Sequence, residues 1–404
     1  MNQRLQQQNN GLFLEVGKEQ RSKAGQAVCG DLFMSRRATE EPRIITILAD
    51  GLGSGIKASV LSTLTASMAA GCVGGNMDIK RTAEVILSTL PVCSERGLAY
   101  STFTIVDADL ARGVVRVIEH ENPGFLLIRD NEAVKLTKEP IPLANTELSS
   151  RHHELHYTTF ELRENDRLVL FSDGISQAGL GSSQSPVGWG DAAITEKVLD
   201  SVNKQPDLSA NKLAGKIMQR ALNKDGYKAC DDMTCAVLYY RQTRHLMVVT
   251  GPPYDSGDDS VMARKLKNFN GQRLICGGTT ASLVAREWGE TVEIDYREFD
   301  PDVPPASHIN GIDLVTEGSL TLEAILKIIE QSRHPAGHKN NIAVKAAELM
   351  LHSDRIHFLV GSRINNAHHD PTNPRQLDIR RNIVQKIRQA LEQHHLKETD
   401  LELI

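Results

Sequence analysis

Apolar and polar positions alternate in two different rhythms along the chain. Between residues 11 and 241, short β-branched runs separated by turn residues dominate. "RIITILA" (43–49) is long enough for a buried strand. "STFTIVDAD" (101–109), "GVVRVIEH" (113–120), "GFLLIRD" (124–130) and "AVKLT" (133–137) follow one another at the spacing of a meander. "DRLVLFSDGI" (166–175) and "MTCAVLYY" (233–240) read as two more strands. Helical character covers 54–73, then 78–90 with Asp78 as N-cap and Pro91 beyond its end, then a stretch over 191–223. Many antiparallel strands with two long helical stretches predict a sandwich of sheets flanked by helices.

After "RQTRH" (241–245) the rhythm changes. Apolar runs at 246–253, 273–278, 291–296, 311–318 and 356–362 are separated by helix-like segments near 258–268, 279–288, 320–332, 341–352 and 376–395. Regular strand and helix alternation predicts a three-layer α/β domain. The fold class is therefore α+β, with a boundary at 242–245. Residues 1–10 form a polar, Gln-rich tail, 11–243 the first domain and 244–404 the second. No internal repeat interrupts this plan.

Composition narrows the function classes. Of 404 residues, 40% are hydrophobic and 24% charged, the balance of an ordinary globular protein. Net charge is −5, so no basic field points to nucleic acid. No run reaches the roughly 18 apolar residues of a membrane span, and "MNQRLQQQNNG" lacks the apolar core of a secretory signal. Six cysteines, at 29, 72, 93, 230, 235 and 276, include no CxxC pair. Free thiols in a reducing cytoplasm are expected.

Four carboxylate positions adjoin strand-like runs in the first domain: Asp31 in "CGDLF", Asp50 in "ADGLG", Asp173 in "SDGI" and Asp231 with Asp232 in "CDDMT". Any single Asp-Gly pair is an ordinary turn. Together, at strand ends and in order, they could converge on one sheet edge. Clustered carboxylates repel one another unless a cation neutralises them. Mg²⁺ and Mn²⁺ do so with oxygen ligands.

With those motifs on the page, the chain resembles the metal-dependent serine/threonine protein phosphatases (PPM or type 2C), in the bacterial SpoIIE-like branch. The resemblance rests on Gly30-Asp31, "DGLGSGIKAS" (50–59), "EHENPGFLLIRDN" (119–131), "NDRLVLFSDGI" (165–175) and "DDMTCAVL" (231–238), and covers residues 11–241. It implies an αββα sandwich with two Mn²⁺ or Mg²⁺ ions in a cleft at the sheet edge. By the same resemblance Asp50 bridges both ions, the Gly51 carbonyl binds one, Asp31 holds the second, and Asp173 and Asp231 complete the first. Asp232, where the wider family often has Asn, is a supporting residue. The implied reaction is hydrolysis of phosphoserine or phosphothreonine on a partner protein by a metal-activated water. Three positions depart from the family. Leu52 stands where eukaryotic members carry a His proposed as general acid. The phosphate-binding Arg has only Arg21 or Lys23 as candidates. Gln177 falls where related sequences often have Glu.

Other motifs carry less. "DGLGSG" lacks the third glycine of a dinucleotide fingerprint, and no GxxxxGK[ST] is present. In the second domain "GGTT" (277–280) offers amides and hydroxyls at a helix start, a possible anion cradle, whereas "GPPYDSGDD" (251–259) puts acids there. "LVTEG" (314–318) and "GSRINNAHHDP" (361–371) also follow strands and could share a cleft with "GGTT". This domain is read as a regulatory or binding domain, with a small-molecule or protein ligand. His368, His369 and Asp370, like His152, His153 and His156, read as solvated loop residues. The amphipathic helix 376–395 would pack on the sheet or on a second subunit of a homodimer. A phosphatase-like signalling scaffold without turnover is the alternative function.

Overall fold

The computed structural model describes residues 11–38, 41–90, 101–141, 155–183, 185–295, 306–331, 341–363 and 375–404. The polar tail, His152, His153, His368, His369, Asp370 and Cys93 lie outside the described residues. The chain divides into two compact units, Met1–Gln242 and Thr243–Ile404.

In the first unit, β1 (Leu12–Arg21), β2 (Asp31–Arg37) and β3 (Arg43–Gly51) precede α1 (Ile56–Gly74) and α2 (Ile79–Thr89). Then come β4 (Ser101–Asp109), β5 (Val114–His120), β6 (Leu126–Arg129), β7 (Glu132–Val134), β8 (Glu139–Pro140), β9 (Leu155–Glu161) and β10 (Arg167–Phe171). A short helix, α3 (Asp173–Ser176), leads to α4 (Asp191–Lys204), α5 (Ala210–Lys224) and β11 (Met233–Gln242). Two sheets result, in the orders β1-β11-β10-β6-β7 and β2-β3-β4-β5-β9-β8.

Period-two alternation explains the layering. On β3, Ile44 and Leu48 face Leu168, Leu170, Ala236 and Leu238 of the other sheet, while Ile45, Ile47 and Ala49 face Ala66, Ala69 and Ala70 of α1. On β11, Cys235, Val237 and Tyr239 turn instead toward α4 and α5. Strands buried on both faces read as continuous apolar runs, which is why "RIITILA" and "MTCAVLYY" stand out. The layers are helix, sheet, sheet, helix: the αββα sandwich.

Several details differ from the sequence reading. The run 124–137 leaves the meander, since β6 pairs with β10 in the other sheet. The strand at 166–175 stops at Phe171, and Asp173 opens a helical turn. Residues 191–223 form two helices, broken between Lys204 and Ala210 where Pro206 removes an N–H. Although no long apolar run was found, α1 has the length and mean hydropathy to cross a bilayer, because its Ala, Ile, Val, Leu, Met and Cys residues outweigh the Ser, Thr and Gly interspersed among them. Here Ala58, Ser62, Thr65, Ala66, Ala69, Ala70 and Val73 are buried in the domain.

The second unit contains β12 (His245–Thr250), α6 (Asp259–Lys267), β13 (Gln272–Cys276), α7 (Gly278–Trp288), β14 (Glu293–Asp295), β15 (Ala306–His308) and β16 (Leu314–Thr316). It continues with α8 (Ser319–Glu330), α9 (Ile342–His352), β17 (Arg355–Val360), α10 (Arg375–His395) and β18 (Glu398–Leu403). Its seven strands run β14-β15-β16-β13-β12-β17-β18. Helices α6 and α7 cover one face, and α8, α9 and α10 the other. This is a three-layer α/β domain, with α10 packed on the sheet through Ile383, Val384, Ile387 and Leu391.

Candidate functional site

The antiparallel register of β2 and β3 sets Asp31 directly opposite Asp50. Like charges at paired positions destabilise a sheet, so this pairing marks a place built for something other than stability. Gly51 pairs with Ser101 on the next strand, and the Ser101 hydroxyl donates to the Asp50 carbonyl at 3.0 Å. Only glycine fits at 51. A Cβ there would stand 2.0 Å from the carbonyl oxygen of Ala58, because α1 docks directly on the strand end.

The other carboxylates arrive from the second sheet. Asp173 begins α3, immediately after β10, and Asp231 and Asp232 precede β11. β10 and β11 are themselves paired, so both turns open at the same end of the sandwich. Gln177 Nε2 donates to Asp173 Oδ2 at 3.1 Å, one helical turn along, and orients that carboxylate. Gln20 Nε2 donates to the Asp31 carbonyl at 2.7 Å.

The electrostatics follow from this crowding. Burial raises the Asp31 carboxyl to about 7, with Asp232 and Asp173 adding repulsion, while the Ser172 and Thr234 hydroxyls act in the opposite direction. Asp50 rises to about 9, first through burial and then through the charges of Asp31, Asp173 and Asp231. Asp173 is also raised, by burial and by Asp231, while its hydrogen bond from Asp50 pulls the other way. Without a cation, the group therefore retains protons that a solvated carboxylate would release.

Burial without satisfaction is the second sign. Both oxygens of Asp31 and Oδ2 of Asp232 are buried without a hydrogen bond of normal geometry, the nearby Ser172 and Thr234 hydroxyls falling short of one to Asp31. Such atoms are costly unless a ligand reaches them. Asp232 is 3% exposed, and its Oδ1 accepts the Lys23 amide at 2.9 Å. It lies deeper in the cluster than its supporting rank suggested. All-oxygen, anionic donors with bare buried atoms fit hard divalent cations. Among the described residues no three His, Cys, Asp or Glu side chains close into a ready cage for one ion. The carboxylates are instead distributed along the edge.

Of the two cationic candidates, Lys23 faces the cluster, with Nζ 3.6 Å from Asp231 Oδ1. Arg21 turns away, to the Gln20 carbonyl and Glu19. Leu52 is half-buried beside Gly51 and has no proton to give. His156 lies on β9 opposite Glu119, outside the carboxylate group. Ser101 and Gln20 escaped sequence reasoning, since only strand pairing brings them near; Gln177, four residues after Asp173, carried a visible helical spacing.

The sequence pattern of the family described as stage II sporulation protein E (SpoIIE) matches residues 40–241. No curated protein sequence matches the chain. Among solved structures, the PP2C phosphatase domain with a fragment of the regulatory domain of SpoIIE from Bacillus subtilis is similar at 18% identity and TM-score 0.48, covering 57% of this chain and 64% of that one. The RsbU and RsbW domains of a Mycobacterium tuberculosis protein show 16% identity and TM-score 0.47, over 63% of this chain and 67% of that one. The catalytic domain of the serine/threonine phosphatase PstP in complex with two manganese ions shows 19% identity and TM-score 0.38, over 57% and 99%.

Proposed function

The chain belongs to the stage II sporulation protein E family, the SpoIIE-like branch of the metal-dependent (PPM, type 2C) protein phosphatases, and on that premise we propose that its first unit hydrolyses phosphoserine and phosphothreonine on a partner protein. The observation carrying this reading is the convergence of Asp31, Asp50, Asp173 and Asp231, with both Asp31 oxygens and Oδ2 of the adjoining Asp232 buried and without partners. These four, with the Gly51 carbonyl, would hold two Mn²⁺ or Mg²⁺ ions. When bound, such ions lower the pKa of water and stabilise negative charge on phosphoryl oxygens.

The chain's own groups set the stage for an in-line displacement. Ser101 fixes the Asp50 backbone, and Gln177 fixes the Asp173 carboxylate. The Lys23 ammonium, half-exposed beside Asp231, is placed to meet an oxygen of the incoming phosphate. Leu52 supplies no proton to the departing alkoxide. We place the activity in the cytoplasm, where free thiols such as Cys29, Cys230 and Cys276 persist.

Manganese-dependent hydrolysis of para-nitrophenyl phosphate and of a phosphoserine peptide tests the proposal. Activity should fall by about 10²-fold or more in Asp50→Asn and Asp173→Asn. A folded, manganese-loaded protein inert toward both substrates would overturn it.

A further inference from the structure

Asp231 and Asp232 are neighbours in the chain, yet the fold treats them differently. The Asp231 side chain is 44% exposed, and the Lys23 ammonium stands 3.6 Å from its Oδ1. Asp232 is sealed in. Two glycines make room for it. A Cβ on Gly30 would stand 2.8 Å from Asp232 Oδ2, and one on Gly174 would stand 2.1 Å from the Asp232 carbonyl oxygen. Gly30 precedes Asp31 at the start of β2, and Gly174 follows Asp173 in α3. Asp232 is thus closed in from both sheets, with its Oδ2 against the backbone that carries Asp31.

The Lys23 amide satisfies Oδ1 at 2.9 Å, and Oδ2 is left without a partner. Nothing around that oxygen offers it a positive charge. The Cys29 thiol beside it is pushed up by burial and then by the charges of Asp31 and Asp232, so it stays neutral. Among the described residues no lysine, arginine or histidine pairs with the carboxylate oxygens of Asp31 or with Oδ2 of Asp232. Three bare, buried carboxylate oxygens are costly as they stand. Two ionised carboxylates cannot hydrogen-bond to each other, so a cation is what answers them.

The repulsions sort the cluster in the same way. After burial, Asp31 is raised first by Asp232 and then by Asp173. Asp50 is raised, again after burial, by Asp31, Asp173 and Asp231, and Asp173 by Asp231. Asp50, Asp173 and Asp231 form one group, Asp31 and Asp232 the other. Asp50 faces Asp31 across the paired strands and joins the two.

We propose that Asp232 is a direct ligand of the second divalent ion, the one held by Asp31, so that the adjacent residues Asp231 and Asp232 serve one ion each. An octahedral ion of this kind is held by few carboxylates, with water completing its shell. The inference rests on the two-ion reading of the site but not on hydrolysis: a loaded, inert protein would overturn the phosphatase reading and leave this one standing.

The test is calorimetric titration of the full, EDTA-stripped chain with Mn²⁺, with electron paramagnetic resonance counting the free ion. The parent should bind two ions. Asp232→Asn keeps Oδ1 as acceptor for the Lys23 amide and removes the charge at Oδ2. It should weaken one ion by about tenfold or more and leave the other within about threefold. Asp31→Asn should weaken the same ion, so that combining it with Asp232→Asn costs less than the sum of the two. Asp231→Asn should weaken the other ion, and its effect should add to that of Asp232→Asn. Melting in EDTA checks that each variant folds, and Asp232→Ser, with a neutral hydroxyl on a shorter stem, repeats the test should the asparagine variant fail. The proposal is overturned if the parent binds fewer than two ions, if the Asp232 variants bind both ions like the parent, if they weaken both ions alike, or if they weaken the ion that Asp231→Asn weakens.

Discussion

At the scale of single residues, the carboxylate group is a local sacrifice of stability. Asp31 and Asp50 face one another across two paired strands, and the Asp50 carboxyl is driven up to about 9 by burial and by its neighbours. Replacing it with the neutral, nearly isosteric asparagine removes one source of that repulsion. Asp50→Asn should therefore melt higher than the parent in EDTA, by about 1–2 kcal/mol, while losing hydrolysis. Thermal melts with and without the chelator check this; a lower melting temperature in EDTA would show that Asp50 stabilises the metal-free fold.

At the scale of elements, the decisive contact is that of α1 with the end of β3. Gly51 lets the helix backbone approach until the Ala58 carbonyl occupies the place of a side chain. Gly51→Ala must move α1, whose face from Ala58 to Val73 is part of the core. A loss of about 3 kcal/mol or more is expected, within the range of overpacked or strained core substitutions. Gly53→Ala is the comparison, since nothing lies within 4 Å of its added Cβ and only its φ of +100° is strained. It should cost about 1 kcal/mol. Denaturant unfolding of both variants separates close approach from backbone strain.

Legibility also differed by element. Strands buried on both faces announced themselves as apolar runs. β2, ending in "SRR", and β18, "ETDLEL", did not, because edge strands carry charges toward water. β9, "LHYTTFE", was hidden by its polar alternation, and β15 by its three-residue length. The crossing of β6 into the other sheet had no local signal, since partner choice depends on β10, some forty residues away.

At the scale of the whole molecule, acid is expected to act on the second unit through one buried histidine. His395, in the last turn of α10, is largely buried, and its Nε2 contacts the Ile329 carbonyl at 3.0 Å. Burial lowers its pKa to about 4, aided by Lys397 and His394. Its folded pKa is below the unfolded value near 6.5, so the unfolded chain binds the proton first. Its contribution is fully present above pH 6.5 and is lost as pH falls toward 4, by about 3 kcal/mol at the limit. Calorimetry between pH 7 and 4.5 should show the transition of residues 243–404 moving down. His395→Gln, which keeps a donor for Ile329, should flatten that slope; an unchanged slope would exclude His395 as its source.

Taken by itself, the amino-acid sequence determined the two-domain plan, the class of each domain, the family and the aspartates worth watching. Local periodicity and short motifs are properties of neighbouring residues, and they survive without coordinates. Tertiary structure alone decided that Asp31 opposes Asp50, that Lys23 rather than Arg21 turns to Asp231, and that Asp232 is sealed in with a bare oxygen. These are long-range pairings. They are set by strand register and by which helix face fills which groove, and no short stretch of the sequence encodes either.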